Sequence, residues 1–369
     1  MSDVLEYECP RCGGRLEFDA ASGNLKCPFC DSVFTVQEVE AMFGTDAGDA
    51  PVSDAGELPQ GGQEIETSGA TFGQNESAGM RVYGCNSCGA EIVTDATTAA
   101  TTCPYCDNVV VMKGQFAGGL KPDLVIPFRF TKDQAVAQFK KHINSRKYVP
   151  KVFSANNHPD EIKGVYVPFW LFDATAQADI IYNAQKTRTW SDAKFNYTET
   201  EYYRVRRAGS IEMARVPVNG STKMADDLME SIEPYKAEEA VPFTTAYLAG
   251  YLADRYDIDY PDCSQTATDR MKVSAEQAFR NTVSGYTAVT AQSSNVAWNK
   301  GRVHYALYPV WLLNTAFEGK KYTFAMNGQT GKFVGDLPLD QKAFNLARFK
   351  FAGIFAVAAF LIMSLIIFI

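Results

Sequence analysis

The chain is poor in the groups that usually carry catalysis. Its 369 residues hold three histidines, His142, His158 and His304. None falls in an H-E-x-x-H arrangement or beside a serine or cysteine placed to act as a nucleophile, and no G-x-S-x-G elbow occurs. A phosphate loop is also missing. Gly328-Gln-Thr-Gly331-Lys332 lacks the G-x4-G-K-[ST] spacing, and Phe333 stands where a hydroxyl is required, so the stretch reads as a turn between strands. Each histidine therefore reads as structural or surface-exposed. No catalytic residue and no organic-cofactor-binding residue is assigned, and the chain is expected not to be an enzyme.

Basic charge is scarce where it would matter for nucleic acid. Residues 1–114 hold 5 Lys/Arg against 18 Asp/Glu, a net of −13, and no Lys or Arg occurs from Cys27 to Met80. Residues 115–369 hold 30 against 25, a net of +5, which together give the chain's −8. Nucleic-acid surfaces need clustered Lys/Arg to neutralise phosphates. Arg204, Arg206 and Arg207 beside Tyr202 and Tyr203 are the nearest approach, read either as one solvated strand face or as a contact for RNA or anionic lipid. The amino terminus shows neither the basic start nor the apolar run expected of a signal peptide.

Cysteine is present, and in a pattern. Eight of nine cysteines fall in C-x-x-C pairs, forming two copies of C-x2-C-x14-C-x2-C: Cys9, Cys12, Cys27, Cys30 and Cys85, Cys88, Cys103, Cys106. Two cysteines separated by two residues point into one tight turn, and two such knuckles face each other to supply four thiolates in a tetrahedron. In a protein that is not secreted, paired thiols point to metal in a reducing cytosol. Two structural zinc ions are expected; rubredoxin-like iron and redox disulfides are the alternatives. A closed four-thiolate site has no open position for water, which argues against catalysis at the metal.

The two copies align at an offset of 76, pairing Tyr7 with Tyr83, Gly13 with Gly89, Asp19 with Asp95 and Asp31 with Asp107 as well as the cysteines. This is an internal duplication. Gly13, Gly89, Asp31 and Asp107 stand after the knuckles, where a left-handed backbone is expected. In the first copy Leu16 and Phe18 alternate with polar residues, Ser22-Gly23-Asn24 makes a turn and Leu25 leads back to Cys27, as in a small hairpin. Cys263, unpaired in Pro-Asp-Cys-Ser, reads as a free structural thiol.

Residues 351–369 contain no charge and, as a helix, would span about 28 Å at about 1.5 Å per residue. Lys342, Arg348 and Lys350 precede the run and mark its cytoplasmic side. A single-pass cell-membrane protein with its amino-terminal bulk in the cytoplasm is expected. The chain ends inside the apolar run, so either the carboxylate lies at the far interface or a further span follows.

The fold class read from the sequence is α+β and multidomain: a zinc ribbon at 1–43, a flexible acidic linker at 44–80, a second ribbon at 81–114, a mixed α+β domain at 120–340 and a transmembrane helix at 347–369. Inside the domain, Thr131 and Gln134 form a capping box for a helix over 132–146. The β-branched and aromatic stretch 164–173 reads as a strand whose Pro168 suggests an edge or a bulge. Alternation continues over 176–218, a helix is predicted at 269–282, and strands return at 303–314 and 321–326.

With both ribbons, the segments 163–173 and 322–332 and the final apolar run, the chain resembles a bacterial family of membrane-anchored, TFIIB-type zinc-ribbon proteins. The family's zinc ligands carry over onto the eight cysteines. Relatives are often encoded near phage-shock-protein-A-type and SPFH-type membrane proteins in Gram-positive bacteria, which implies recruitment of such a scaffold during envelope stress. Some bear a label likening them to the primosomal helicase, which the missing Walker loop contradicts. The expected function is a membrane-anchored zinc-ribbon adaptor for protein partners; the alternative is a nucleic-acid-binding ribbon protein tethered to the membrane.

Overall fold

The structure, a computed structural model, describes residues 7–43, 66–67, 71–72, 80–95, 98, 100–115, 120–150, 153, 162–299 and 301–367. Most of the expected acidic linker lies outside these residues, as does His158.

The first ribbon is an antiparallel sheet of β1 (Glu17–Asp19), β2 (Asn24–Lys26) and β3 (Val33–Phe34), followed by helix α1 (Val36–Phe43). Leu16, Phe18 and Leu25 are buried and Gly23 takes φ 71°, as the hairpin reading requires. No helix is predicted at α1. Its signal is a T-x-x-E box, in which the Glu38 amide donates to Thr35 Oγ1 at 3.2 Å and the Thr35 amide to Glu38 Oε2 at 2.7 Å.

Next come β4 (Glu66–Thr67), β5 (Met80–Gly84), β6 (Glu91–Asp95), β7 (Val111–Gln115), β8 (Leu124–Val125) and α2 (Lys132–Ser145), the last opened by the predicted capping box of Thr131 and Gln134. The long strands β9 (Lys163–Ser191) and β10 (Asn196–Asn219) lead to α3 (Asp226–Ile232), β11 (Val241–Pro242) and β12 (Leu252–Asp254). Helix α4 (Tyr260–Asn281), β13 (Ala288–Asn299), β14 (Arg302–Phe317), β15 (Lys320–Asn327), β16 (Phe333–Val334) and α5 (Gln341–Ile367) complete the chain. Helix α4 starts well before the predicted 269, with Pro261 in its first turn where no amide partner is needed.

Strands β4 to β16 form one thirteen-stranded sheet among the described residues, with β14, β9, β12, β6 and β5 side by side at its heart. Both faces of the central strands are covered, so the run 164–173 is apolar throughout and does not alternate. Tyr166, Trp170 and Phe172 enter one core, Val165, Val167, Phe169 and Leu171 the other. The indole N–H groups of Trp170 and Trp311 donate to the carbonyls of Ile258 and Phe130 at 2.8 and 2.9 Å, so both tryptophans are satisfied core residues.

Pro168 lies at neither an edge nor a bulge. On one side β9 pairs continuously with β14; on the other, parallel β12 ends opposite Tyr166 and antiparallel β10 begins opposite Phe169. The residue that lacks an N–H thus falls where β9 changes partners.

Beyond Ala174, β9 and β10 continue as an arm flanked by β13. Helix α4 covers one face of it through a cluster of Ala178, Ile180, Tyr182 and Val283 with Phe279 packed against it, and the opposite face meets solvent. This accounts for the alternation at 176–218. At the tip, Trp190 stacks on Tyr197 with ring centroids 5.5 Å apart.

The ribbons do not stand apart from the α+β domain. The first contributes Tyr7, Leu16 and Phe18 to the core that holds Tyr166 and Trp170; the second contributes Tyr83, Ile92 and Tyr105 to the core that holds Val165 and Phe169. Strand β12 is the stitch, antiparallel to β6 of the second ribbon and parallel to β9. A unit of about 30 residues buries too little surface by itself, and docking supplies the rest. Of the linker, β4 pairs in parallel with β14, and Thr71 forms a bridge with Leu120.

Helix α5 begins at Gln341, six residues before the predicted span, because Asp340 caps it: its Oδ1 accepts from the Ala343 amide at 2.9 Å. The helix is long and apolar enough to cross a membrane, and its stretch Gln341–Phe360 is entirely unburied in the protein.

Candidate metal centres

Each knuckle is a tight turn closed by its own backbone. The amides of Gly13, Asp31, Gly89 and Asp107 donate to the carbonyls of Cys9, Cys27, Cys85 and Cys103 at 2.8, 3.0, 2.9 and 3.1 Å. All four take the left-handed conformation read from the sequence, with φ of 69°, 57°, 72° and 58°. This geometry turns both sulfurs of a pair the same way.

The four sulfurs of Cys9, Cys12, Cys27 and Cys30 lie within 4.8 Å of one another, as do those of Cys85, Cys88, Cys103 and Cys106. The closest approaches are 3.5 Å for Cys9 to Cys30 and for Cys12 to Cys27, and 3.4 and 3.6 Å for Cys85 to Cys106 and Cys88 to Cys103. Sulfurs held ~2.3 Å from one ion sit about 3.8 Å apart. A disulfide would need ~2.05 Å. Both quartets could therefore hold zinc, and no redox bridge is formed.

The surroundings favour deprotonation of one thiol in each set. Ser32, through its hydroxyl and its amide, brings the Cys30 thiol down to about 6. Burial raises Cys106, but the Asn108 side chain and amide outweigh it and bring that thiol to about 6 as well. Ser32 and Asn108 are equivalent positions of the duplication. Cys263 behaves oppositely: burial on α4 and the carboxylates of Asp262, Asp226 and Asp259 push it up to about 11, so it is an inert thiol.

The two centres differ in what holds them. In the second ribbon, three side chains of the large sheet grip the second knuckle. Lys163 Nζ donates to Thr102 Oγ1 at 2.6 Å and to the Cys103 carbonyl at 3.1 Å; Asn314 Nδ2 donates to the Pro104 carbonyl at 2.7 Å; Lys321 Nζ donates to the Tyr105 carbonyl. Asp107 also lies 3.4 Å from Lys163 and 3.9 Å from Lys321. These ammoniums suit a doubly negative zinc tetrathiolate.

The first ribbon is fixed from behind. The Phe18 amide donates to the Ala249 carbonyl at 3.0 Å, the Tyr7 hydroxyl bonds Thr245 Oγ1, and Phe18 sits edge-on to Tyr247 and Tyr251. Its knuckles face solvent. Pro28, Phe29, Cys30 and Asp31 are all exposed, and Asp31 is bound by Lys26 of the same ribbon at 2.9 Å. Phe29 is 71% exposed, whereas Tyr105, its equivalent at the offset of 76, is 9% exposed. This asymmetry has no signal in the cysteine spacing; only the partner residues Lys163, Asn314 and Lys321, far away in sequence, reveal it.

Other residues singled out from the sequence do not converge. His142 Nε2 lies 3.2 Å from the Gly335 carbonyl, and His304 is 3.3 Å from Asp173. Arg206 pairs with Asp179 and Arg207 donates to Thr282 at the end of α4, so two of the three arm arginines are engaged. The stretch 328–332 is the expected turn, with Asn327 Oδ1 accepting from the Gln329 and Thr330 amides at 2.9 Å.

The family model described as Trm112p-like protein matches residues 8–38, which include all four cysteines of the first ribbon. Over 338 residues, 92% of this chain and 91% of the relative, the sequence is 31% identical to the uncharacterized protein YdjG of Bacillus subtilis (strain 168). No solved structure matches the chain.

Proposed function

The chain belongs to the family of Bacillus subtilis YdjG, and on that premise we propose that it is a non-enzymatic, membrane-anchored adaptor whose first zinc ribbon holds a protein partner. The observation that carries this reading is the contrast between the exposed Phe29 knuckle and the buried Tyr105 knuckle. One ribbon is consumed in building the fold; the other is held rigidly with its recognition face free. Rigid presentation limits the ordering entropy lost on binding.

Helix α5 supplies the anchor, and Lys342, Arg348 and Lys350 before the apolar run support a cytoplasmic position for everything that precedes it. The partners to examine first are the SPFH-type and phage-shock-type scaffolds implied by the TFIIB-type resemblance. The acidic balance of residues 1–114 disfavours nucleic acid.

The test is in-cell cross-linking and pull-down of the intact protein against the Cys9→Ser/Cys12→Ser variant. Loss of a specific partner with retention in the membrane is expected. An unchanged partner set would sink the role given to the first ribbon.

A further inference from the structure

The duplication places two related knuckles in one molecule, one docked and one free. The docked copy records how a knuckle of this kind is received. Tyr105 inserts into the buried cluster that includes Val165, Leu252 and Leu312, with the Asp254 carboxyl toward its hydroxyl. Around it, Lys163, Asn314 and Lys321 donate to three successive knuckle carbonyls, and both lysines reach Asp107. Apolar burial and charge-assisted hydrogen bonds act together there.

The free copy presents the same chemistry outward. Phe29 replaces Tyr105, Pro28 replaces Pro104 and Asp31 repeats Asp107, on a ribbon that belongs to the strongly acidic part of the chain. The Phe29 ring lies over Gly14, where an added Cβ would come within 2.5 Å of the ring.

We propose that the partner of this protein receives the first ribbon in a pocket of the same design as the one its own sheet offers the second: an apolar floor for the Phe29 ring, rimmed by lysine or arginine and a carboxamide that donate to the knuckle carbonyls and to Asp31. This rests on the adaptor reading. Two details follow from the substitutions between copies. Phe29 has no hydroxyl, so the pocket ends in apolar side chains with no counterpart of Asp254. The basic rim makes the occupant a protein; anionic lipid and nucleic acid would be repelled by an acidic face.

The experiment places a photoreactive benzoylphenylalanine at position 29 of the full chain in its native membrane, with the same probe at exposed Val273 as background. The expected product is a protein adduct whose cross-linked peptide lies in a pocket flanked by basic and amide side chains. Asp31→Asn, which keeps the left-handed backbone and the fold as judged by zinc content, should lower its yield about tenfold, the scale of one charge-assisted contact.

An adduct on a surface with no basic rim, or one indifferent to Asp31→Asn, overturns the pocket chemistry while leaving the adaptor reading in place. Adducts to lipid, nucleic acid or a second copy of the chain overturn it as well. No adduct above the Val273 background, together with a partner set unchanged by Cys9→Ser/Cys12→Ser, removes both.

Discussion

Asp254 shows how strongly one buried group couples the second ribbon to the sheet. It sits on β12, the strand between β6 and β9, and its Oδ2 accepts from the Ser221 hydroxyl at 2.6 Å. Burial pushes its carboxyl up to about 7 in spite of that hydrogen bond. In the unfolded chain the same group ionises near ~3.9. Unfolding therefore releases a proton between these values, and the stability tied to Asp254, intact below about 4, falls as pH rises towards 7, by up to about 4 kcal/mol. Asp254→Asn, which still accepts from Ser221, should lose less stability than the parent between pH 4 and 8. Calorimetric melting of both proteins across that range checks this; identical pH slopes would rule out an ionisable Asp254 as the cause.

At the scale of elements, local patterns were readable where the sequence alone determines the geometry. The eight cysteines, the left-handed Gly13, Asp31, Gly89 and Asp107, and the Thr131 capping box all act within a few residues. Helix α1 was equally readable from Thr35 and Glu38 but masked by the short run that follows. What stayed hidden depends on distant partners: the exchange of β12 for β10 beside Pro168, and the grip of Lys163, Asn314 and Lys321 on the second knuckle. No periodicity encodes a contact between Lys321 and residue 105. Helix α5 was legible because a helix long and apolar enough to cross a membrane is written as one continuous apolar run. Removing residues 351–369 should move the protein from the membrane pellet to the soluble fraction with its melting transition kept. Retention in carbonate-washed membranes would show that another surface holds it there.

At the scale of the whole molecule, the two related cysteine quartets sit in different surroundings. The second has its knuckle carbonyls engaged by three strands of the large sheet; the first keeps its knuckles at the surface, with Cys12 and Cys30 exposed. Metal binding is folding energy for such units, so the two ions should differ in how they leave. The direct measurement is zinc release from the full-length protein in nanodiscs mixed with excess chromophoric chelator, with circular dichroism followed on the same sample. One zinc per chain should depart in a fast phase that leaves the strand signal unchanged and disappears in Cys9→Ser/Cys12→Ser, and the second should depart only as the sheet unfolds. Release of both ions in a single phase, or a fast phase that survives in that variant, would contradict that difference.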